Sequence, residues 1–188
     1  MRVFVAGATG VIGVRIVPML VAEGDVVAGL TRSQPDVVAS LGAEPVVCDA
    51  YDAAGLKDAM RAFAPDFVMH ELTDLPDHLE ELDEKLPENR RMRLDGTRNL
   101  VAASDGACIV MQSVAFPAGA EQAEQMVLDA GGVVVRLGYL YGPGTWYAKA
   151  PDAPEPRTHV DVAARAMVDA IYAPARSVVE IVDDGASA

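Results

Sequence analysis

The chain has 188 residues, 51% of them apolar, and a formal net charge of -13. That length and apolar content suit one globular domain with a sizeable core. With 28 acidic against 15 basic residues the surface repels polyanions, which argues against nucleic acid as a partner, since a phosphate backbone is held by clustered Lys and Arg.

The first apolar run, Val3 to Ala6, is short and follows no basic segment, and no later stretch approaches the roughly 18 to 20 apolar residues that cross a bilayer. The expectation is a soluble, cytoplasmic protein with no membrane partner. In chain order, β-branched runs alternate with helical periodicities. Strands are expected over 2–6, 26–30, 45–48, 66–70, 107–112 and 133–137, and helices over 11–23, 34–41, 53–63, 88–104 and 119–130. In the last helix Ala123, Met126, Val127 and Ala130 form one apolar stripe. Pro18 lies inside the first helix and predicts a kink there. Cys48 and Cys108 both sit in apolar runs, as reduced, buried thiols would. The acidic stretch from Asp77 to Lys85 reads as a solvated face, and the Pro-rich stretch from Ala150 to His159 is the only linker-like segment. Strand and helix in strict alternation imply parallel pairing, hence an α/β fold with a doubly wound sheet in a single domain over 1–188. Ligands of such sheets bind at the carboxyl ends of the strands.

The opening "MRVFVAGATGVIGVRIV" is a strand, three glycines and a helix start. Gly7 would let the chain turn off the strand, Gly10 would let backbone approach a pyrophosphate, and Gly13 would let the helix pack closely. With Thr9, Val11 and Ile12 between them, the helix N-terminus offers N–H donors and a partial positive charge to an anion. After the second strand, "GLTRS" places Thr31, Arg32 and Ser33 where NAD-specific chains carry an acid. A guanidinium and two hydroxyls suit a 2'-phosphate, so NADP is favoured over NAD. Arg15 either assists that phosphate or faces solvent.

The G-x-x-G-x-x-G spacing resembles that of the extended short-chain dehydrogenases/reductases, also called the NAD-dependent epimerase/dehydratase family. Further likenesses run nearly the whole length: "VVCDAYD", "FVMHELTDLP", "LDGTRNLVAA", "MQSVAF", "VVVRLGYLYGPGTWY", "HVDVAARAMVDAI" and "VVEIVDD". The resemblance implies a Rossmann fold with Asp49 and Ala50 at the adenine and with Leu72 and Thr73 in the strand-four loop beside the cofactor. It also implies Ser113 as the serine that hydrogen-bonds the reacting oxygen.

The likeness stops at the catalytic pair. In the family a Tyr exchanges the substrate proton and a Lys four residues later lowers its pKa. The only lysines here are Lys57, Lys85 and Lys149, and Ala53, Glu81 and Thr145 stand four residues before them. After "QSVAF" the chain passes almost directly into "PAGAEQAEQMV", leaving Phe116 and Ala120 at the nearest equivalent spacing. About fourteen residues separate Gly144 from His159, where the family carries much of its substrate lobe, so that lobe is expected to be largely absent. The cleft would then be open, and a homo-oligomer is one way to cover it.

Tyr141 is the substitute acid, with Ser113 polarising a carbonyl or hydroxyl. An unassisted phenol titrates near pH 10 and serves as an acid better than as a base. His70, Glu71 and Asp74 follow a strand and lack a helical metal spacing, so no metal is expected; His70 and His78 read as polar loop residues. Asp161 is placed to cap the late helix, and Tyr139 to pack in the core. Three functions remain: an NADP-dependent oxidoreductase or epimerase with reduced chemistry, a non-redox cyclase, lyase or isomerase, and an inert NADP-sensing module. The small-molecule substrate is not legible.

Overall fold

The computed structural model describes residues 1–183, so Asp184, the last residue of "VVEIVDD", lies outside the described residues. In chain order the elements are β1 (Arg2–Ala6), α1 (Gly13–Ala22), β2 (Val26–Thr31), α2 (Pro35–Ser40), β3 (Glu44–Val47), α3 (Ala53–Phe63) and β4 (Phe67–His70). There follow α4 (Leu82–Arg91), α5 (Thr97–Ala103), β5 (Cys108–Val114), α6 (Glu121–Asp129), β6 (Val133–Leu137), β7 (Tyr139–Tyr141), β8 (Arg157–His159), α7 (Val160–Asp169) and β9 (Val178–Ile181). The main sheet has the order β3-β2-β1-β4-β5-β6-β9 with every neighbour parallel; β7 and β8 pair apart from it.

The sheet is buried on both faces, as its near-continuous apolar strands require. In β1, Val3 and Val5 point to one side, where Ile16, Val17 and Leu20 of α1 and Ala163, Ala164 and Met167 of α7 cover them. Phe4 and Ala6 point to the other, against Leu56, Met60 and Phe63 of α3 and Leu100 of α5. Each of the larger of these side chains contributes about 1.5–3 kcal/mol on burial, the alanines less. Because β1 lies between β2 and β4, the strand order reverses there, and it is beyond the carboxyl ends of the strands at such a switch point that ligands of doubly wound sheets bind.

The expected helix over 88–104 is longer and interrupted. A turn of 3-10 helix at Leu79–Glu81 leads into α4, and a π-turn at Met92–Gly96 joins α4 to α5. Its first half is the acidic stretch: Leu79, Leu82 and Leu86 recur at helical spacing but are at most half-buried, and Asp83 and Glu84 in its first turn and Arg90 and Arg91 in its last complement the helix dipole. The acidic stretch is thus solvated, but helical. The helix α1 runs unbroken through Pro18, whose ring is exposed. Cys48 and Cys108 are unpaired and half-buried rather than buried, each at an end of a strand.

Candidate functional site

The loop between β1 and α1 has the three-glycine geometry a dinucleotide needs. Gly7 turns the chain at φ +95°, in the left-handed region. A Cβ on Gly13 would lie 2.2 Å from the carbonyl oxygen of Gly7, so only glycine lets the helix start this close to the loop. Gly10, which donates its N–H to Gly7 O at 3.0 Å, is exposed; a Cβ there would meet only that same oxygen, at 3.3 Å. Thr9 and Val11 flank it, half-buried, and Ile12 turns into the core. The N–H groups of Val11 and Ile12 donate to nothing among the described residues, and no side chain caps α1. That leaves a set of free donors at a helix N-terminus, the arrangement that holds a diphosphate.

Arg15 neither faces solvent nor reaches toward Arg32. Its guanidinium donates to Val11 O at 2.6 Å, to Pro143 O at 2.5 Å and to Asp161 at 2.7 Å, tying the glycine loop to the Tyr-Gly-Pro-Gly turn and to α7. Asp161 is therefore Arg15's partner, and the cap of α7 is His159, whose Nδ1 accepts from the Asp161 N–H. The turn arrives beside the loop, Gly144 facing Val11.

At the ends of β2, β3 and β4 the remaining expected residues come together. Thr31 is buried and its hydroxyl accepts from the N–H groups of Ser33 and Gln34, so it shapes the turn after β2. Ser33 is exposed, and so is the Arg32 guanidinium, which ion-pairs with Asp74 at 3.1 Å. Asp74 in turn accepts from the Tyr51 phenol at 3.3 Å, and its own N–H donates to Asn89. Burial and the Asp74 charge push the Tyr51 phenol up, while the Arg91 guanidinium lies 4.3 Å over its ring. Asp49 accepts from the Tyr51 N–H with one carboxylate oxygen. Ala50 is buried, its carbonyl held by the Asn99 amide at 2.8 Å; Leu72 and Thr73 are half-buried.

His70 is not a loop residue: it ends β4, is 2% exposed, and lies 2.7 Å from the Thr97 hydroxyl. Its Nδ1 accepts from the Leu72 N–H, which places the ring proton on Nε2, facing Thr97. Burial and the nearby Arg93 charge lower it to about 4, so it is neutral at pH 7. His78 is exposed, ahead of the 3-10 turn. Glu71 is buried with neither carboxylate oxygen hydrogen-bonded, and burial pushes its carboxyl up to about 8.

The expected catalytic residues fare differently. Ser113 is fully buried and donates to Glu124 at 2.6 Å, on the α6 side of the sheet. Glu124 is itself gripped by Arg136 through two hydrogen bonds of 2.6 and 3.1 Å. Strand alternation puts Ser113 on the α6 face of β5, where its hydroxyl is engaged by Glu124. Tyr141 is half-buried, edge-on to His159 at 5.1 Å between centroids; a hydrogen bond to Asp183, then burial, raises its phenol. Tyr139 is not core but stacks on Phe116 at 3.9 Å. Where the family's Tyr-Lys segment would lie, a cleft of about 270 Å³ opens, lined among others by Phe116, Ala120, Glu124 and Arg136. Trp146, just past the Tyr-Gly-Pro-Gly turn, reaches the loop after β4, its indole N–H donating to Pro76 O.

Tyr51, Glu71 and Asp74 stand here without having been expected beside a cofactor. For Glu71 a signal exists, an ionisable residue placed directly at the carboxyl end of the apolar strand "FVMH". For Tyr51 and Asp74 none does, since their partners are distant in sequence, as are those that Arg15 takes up in place of a phosphate.

The fold is shared with known proteins. The chain is 33% identical to the 3-diazoavenalumate denitrifying reductase of a Streptomyces species, with 98% of this chain and 76% of that protein covered over 237 aligned positions. The aligned span exceeds 188 residues, so the relative has stretches with no counterpart here. The solved UDP-glucose 4-epimerase from Brucella ovis in complex with NAD superposes at a TM-score of 0.78 and 19% identity, over 96% of this chain and 77% of that one. An oxidoreductase of the short chain dehydrogenase/reductase family from Burkholderia thailandensis superposes at 0.72 and 20% identity, over 96% and 90%. Residues 3–124 match the profile of the NAD dependent epimerase/dehydratase family, and together with the glycine loop at the β1/β4 switch point they show that the chain belongs to that family.

Proposed function

We propose that this protein is an NADP-dependent reductase acting on an electrophile that needs no proton from the protein, and that its substrate class is diazonium-like, reduced with loss of dinitrogen. The carrying observation is a complete dinucleotide cradle in a chain with no Tyr-x-x-x-Lys pair. Bound NADPH supplies a hydride. Reduction of a carbonyl leaves an alkoxide that must be protonated as it forms, the task of the missing tyrosine. Replacing a diazonium group by hydride has no such demand: the new C–H bond takes the hydride pair, the C–N pair leaves with N₂, and no proton is exchanged. The relative named as a denitrifying reductase of a diazo compound supports this chemistry.

In this reading the free N–H groups of Val11 and Ile12 hold the diphosphate, with Thr9, Gly10 and Gly13 shaping the approach, and Arg32 with Ser33 meets the 2'-phosphate. Asp49, Ala50, Leu72 and Thr73 line the adenosine. Tyr141, the expected substitute acid, has no proton to supply in this step; its phenol stays neutral, raised by the hydrogen bond to Asp183. The open cleft favours a homo-oligomer, read by light scattering; among the described residues no helix is long and apolar enough to cross a membrane, and we place the protein in the cytoplasm.

The test is NADPH deuterated at the transferring position, offered with an arenediazonium salt. The expected result is deuterium in the arene at the carbon that lost N₂, with ketones, aldehydes and nucleotide sugars turned over at least roughly 10²-fold more slowly. Brisk ketone reduction or sugar epimerisation would overturn the reading. Turnover without cofactor would return the cyclase, lyase or isomerase class, and tight NADPH binding with no consumption would return an NADP-sensing module.

A further inference from the structure

Glu71 is the first residue past β4, at the point where the sheet order reverses. Its N–H donates to Ala6 O at 2.8 Å, and its Cβ lies 3.1 Å from where a Cβ on Gly7 would stand, so it adjoins the first glycine of the loop. His70 turns toward Thr97; alternation places Glu71 on the opposite face, that of Met69 and α1. It is 7% exposed, and both carboxylate oxygens are shielded and unpartnered.

Among the described residues no charge compensates it. The loop 7–12 has no ionisable residue, and β1 has only Arg2, which binds Phe63 O at the far end of the strand. From α1 the first-turn cation is Arg15, committed to Val11, Pro143 and Asp161; from α7 come Asp161, held by Arg15, and His159, the cap. The strand β5 is uncharged, Asp74 is paired with Arg32, and His70 is neutral. Burial alone acts on the carboxyl, which is a neutral acid at pH 7.

We propose that Glu71 is a further cofactor-binding residue, a neutral carboxyl group whose O–H donates to the diphosphate on the Gly7–Gly13 loop; this rests on the dinucleotide reading above. A protonated carboxyl has a donor to offer a phosphate oxygen, whereas an ionised one has none and repels it. An arriving diphosphate holds the proton more tightly still, so dinucleotide and proton bind together. Affinity is then level below about pH 8 and falls by up to about tenfold per pH unit above it.

The experiment is fluorescence titration with NADH and NADPH from pH 6 to 9.5 on the parent, Glu71→Gln and Glu71→Leu, with folding followed by circular dichroism. NADH has no group titrating in that range, which keeps the ligand's own protons out of the result. The parent's affinity should fall above pH 8; Glu71→Gln, which keeps a donor, should hold the parent's pH 7 affinity across the range, and Glu71→Leu should bind more weakly without the pH slope. A parent with no slope, or a slope that persists in both variants, overturns the proposal while leaving the dinucleotide reading intact. Binding of neither dinucleotide at any pH overturns both. Independently, the Glu71 carboxyl ¹³C resonance should report a protonated group at pH 7; an ionised one would sink the proposal even if the Gln and Leu variants failed to fold.

Discussion

Arg32 and Asp74 form an ion pair beside the adenosine position proposed above, and a 2'-phosphate bound there would compete with Asp74 for the same guanidinium. Two substitutions therefore act in opposite directions. Arg32→Asp removes a phosphate partner and adds repulsion, so NADH should come to bind more tightly than NADPH. Asp74→Asn frees Arg32 and should tighten NADPH by roughly tenfold, with NADH little changed. Calorimetric titration of both dinucleotides against both variants checks this; identical NADPH and NADH shifts in Asp74→Asn would mean the pair does not touch the 2' position. Ser113 belongs to the same scale. With its hydroxyl spent on Glu124, Ser113→Ala should leave hydride transfer unchanged and lower the melting temperature instead.

Two elements separate fold from site. In the glycine loop, Gly10 faces outward and Gly13 inward, so Gly10→Val should abolish dinucleotide binding with little change in melting temperature. Gly13→Val should fail to fold, because its Cβ would overlap backbone at 2.2 Å. Parallel thermal melts and cofactor titrations distinguish the two. On the other face, α6 is moored to β5 and β6 through Glu124, Ser113 and Arg136. Arg136→Met leaves Glu124 buried without its cation and should cost about 2 kcal/mol, less than a fully buried pair because the Arg136 side chain is 37% exposed and screened. Burial alone would raise the Glu124 carboxyl, but the Arg136 and Ser113 hydrogen bonds outweigh it and hold it below its usual value. Its stabilisation is thus present at neutral pH and lost on acidification through that lowered value; chemical denaturation of parent and Arg136→Met at pH 7 and in acid reads both effects.

For the whole molecule, adjacent buried groups set the pH dependence of stability. His70, lowered from 6.5 to about 4, stabilises above pH 6.5 and loses that contribution as pH falls through this window. Glu71, raised from 4.5 to about 8, acts in the opposite sense: it is at no disadvantage below pH 4.5, and its burial costs more as pH rises toward 8. Between pH 4.5 and 6.5 the two slopes oppose. From pH 6.5 to 8 only Glu71 remains, and the ligand-free protein should lose up to about 2 kcal/mol. Urea denaturation at pH 6.5 and 8 should show that loss in the parent and not in Glu71→Gln; equal losses would place the cause elsewhere. Saturating dinucleotide should offset it if the loop binds as proposed.

Local pattern was enough for the sheet strands up to β6, the glycine loop and the family likeness, because each rests on short-range physics. An apolar run buried on both faces is a parallel strand wherever it lies, and a glycine with positive φ at a strand end depends on its immediate neighbours. The absence of Tyr-x-x-x-Lys was likewise legible by counting. Other features needed the tertiary structure because they depend on which side of the sheet a residue faces or on partners far along the chain. One step of strand alternation put the Ser113 hydroxyl on Glu124, and Arg15 found Asp161 146 positions away. The helix α4 buries little, so its leucines at helical spacing stand in a charged, solvated stretch. Only the pairing of β4 beside β1 buried Glu71 next to Gly7 and left its carboxyl without a partner, since burial and charge compensation belong to the packed molecule and not to any segment of it.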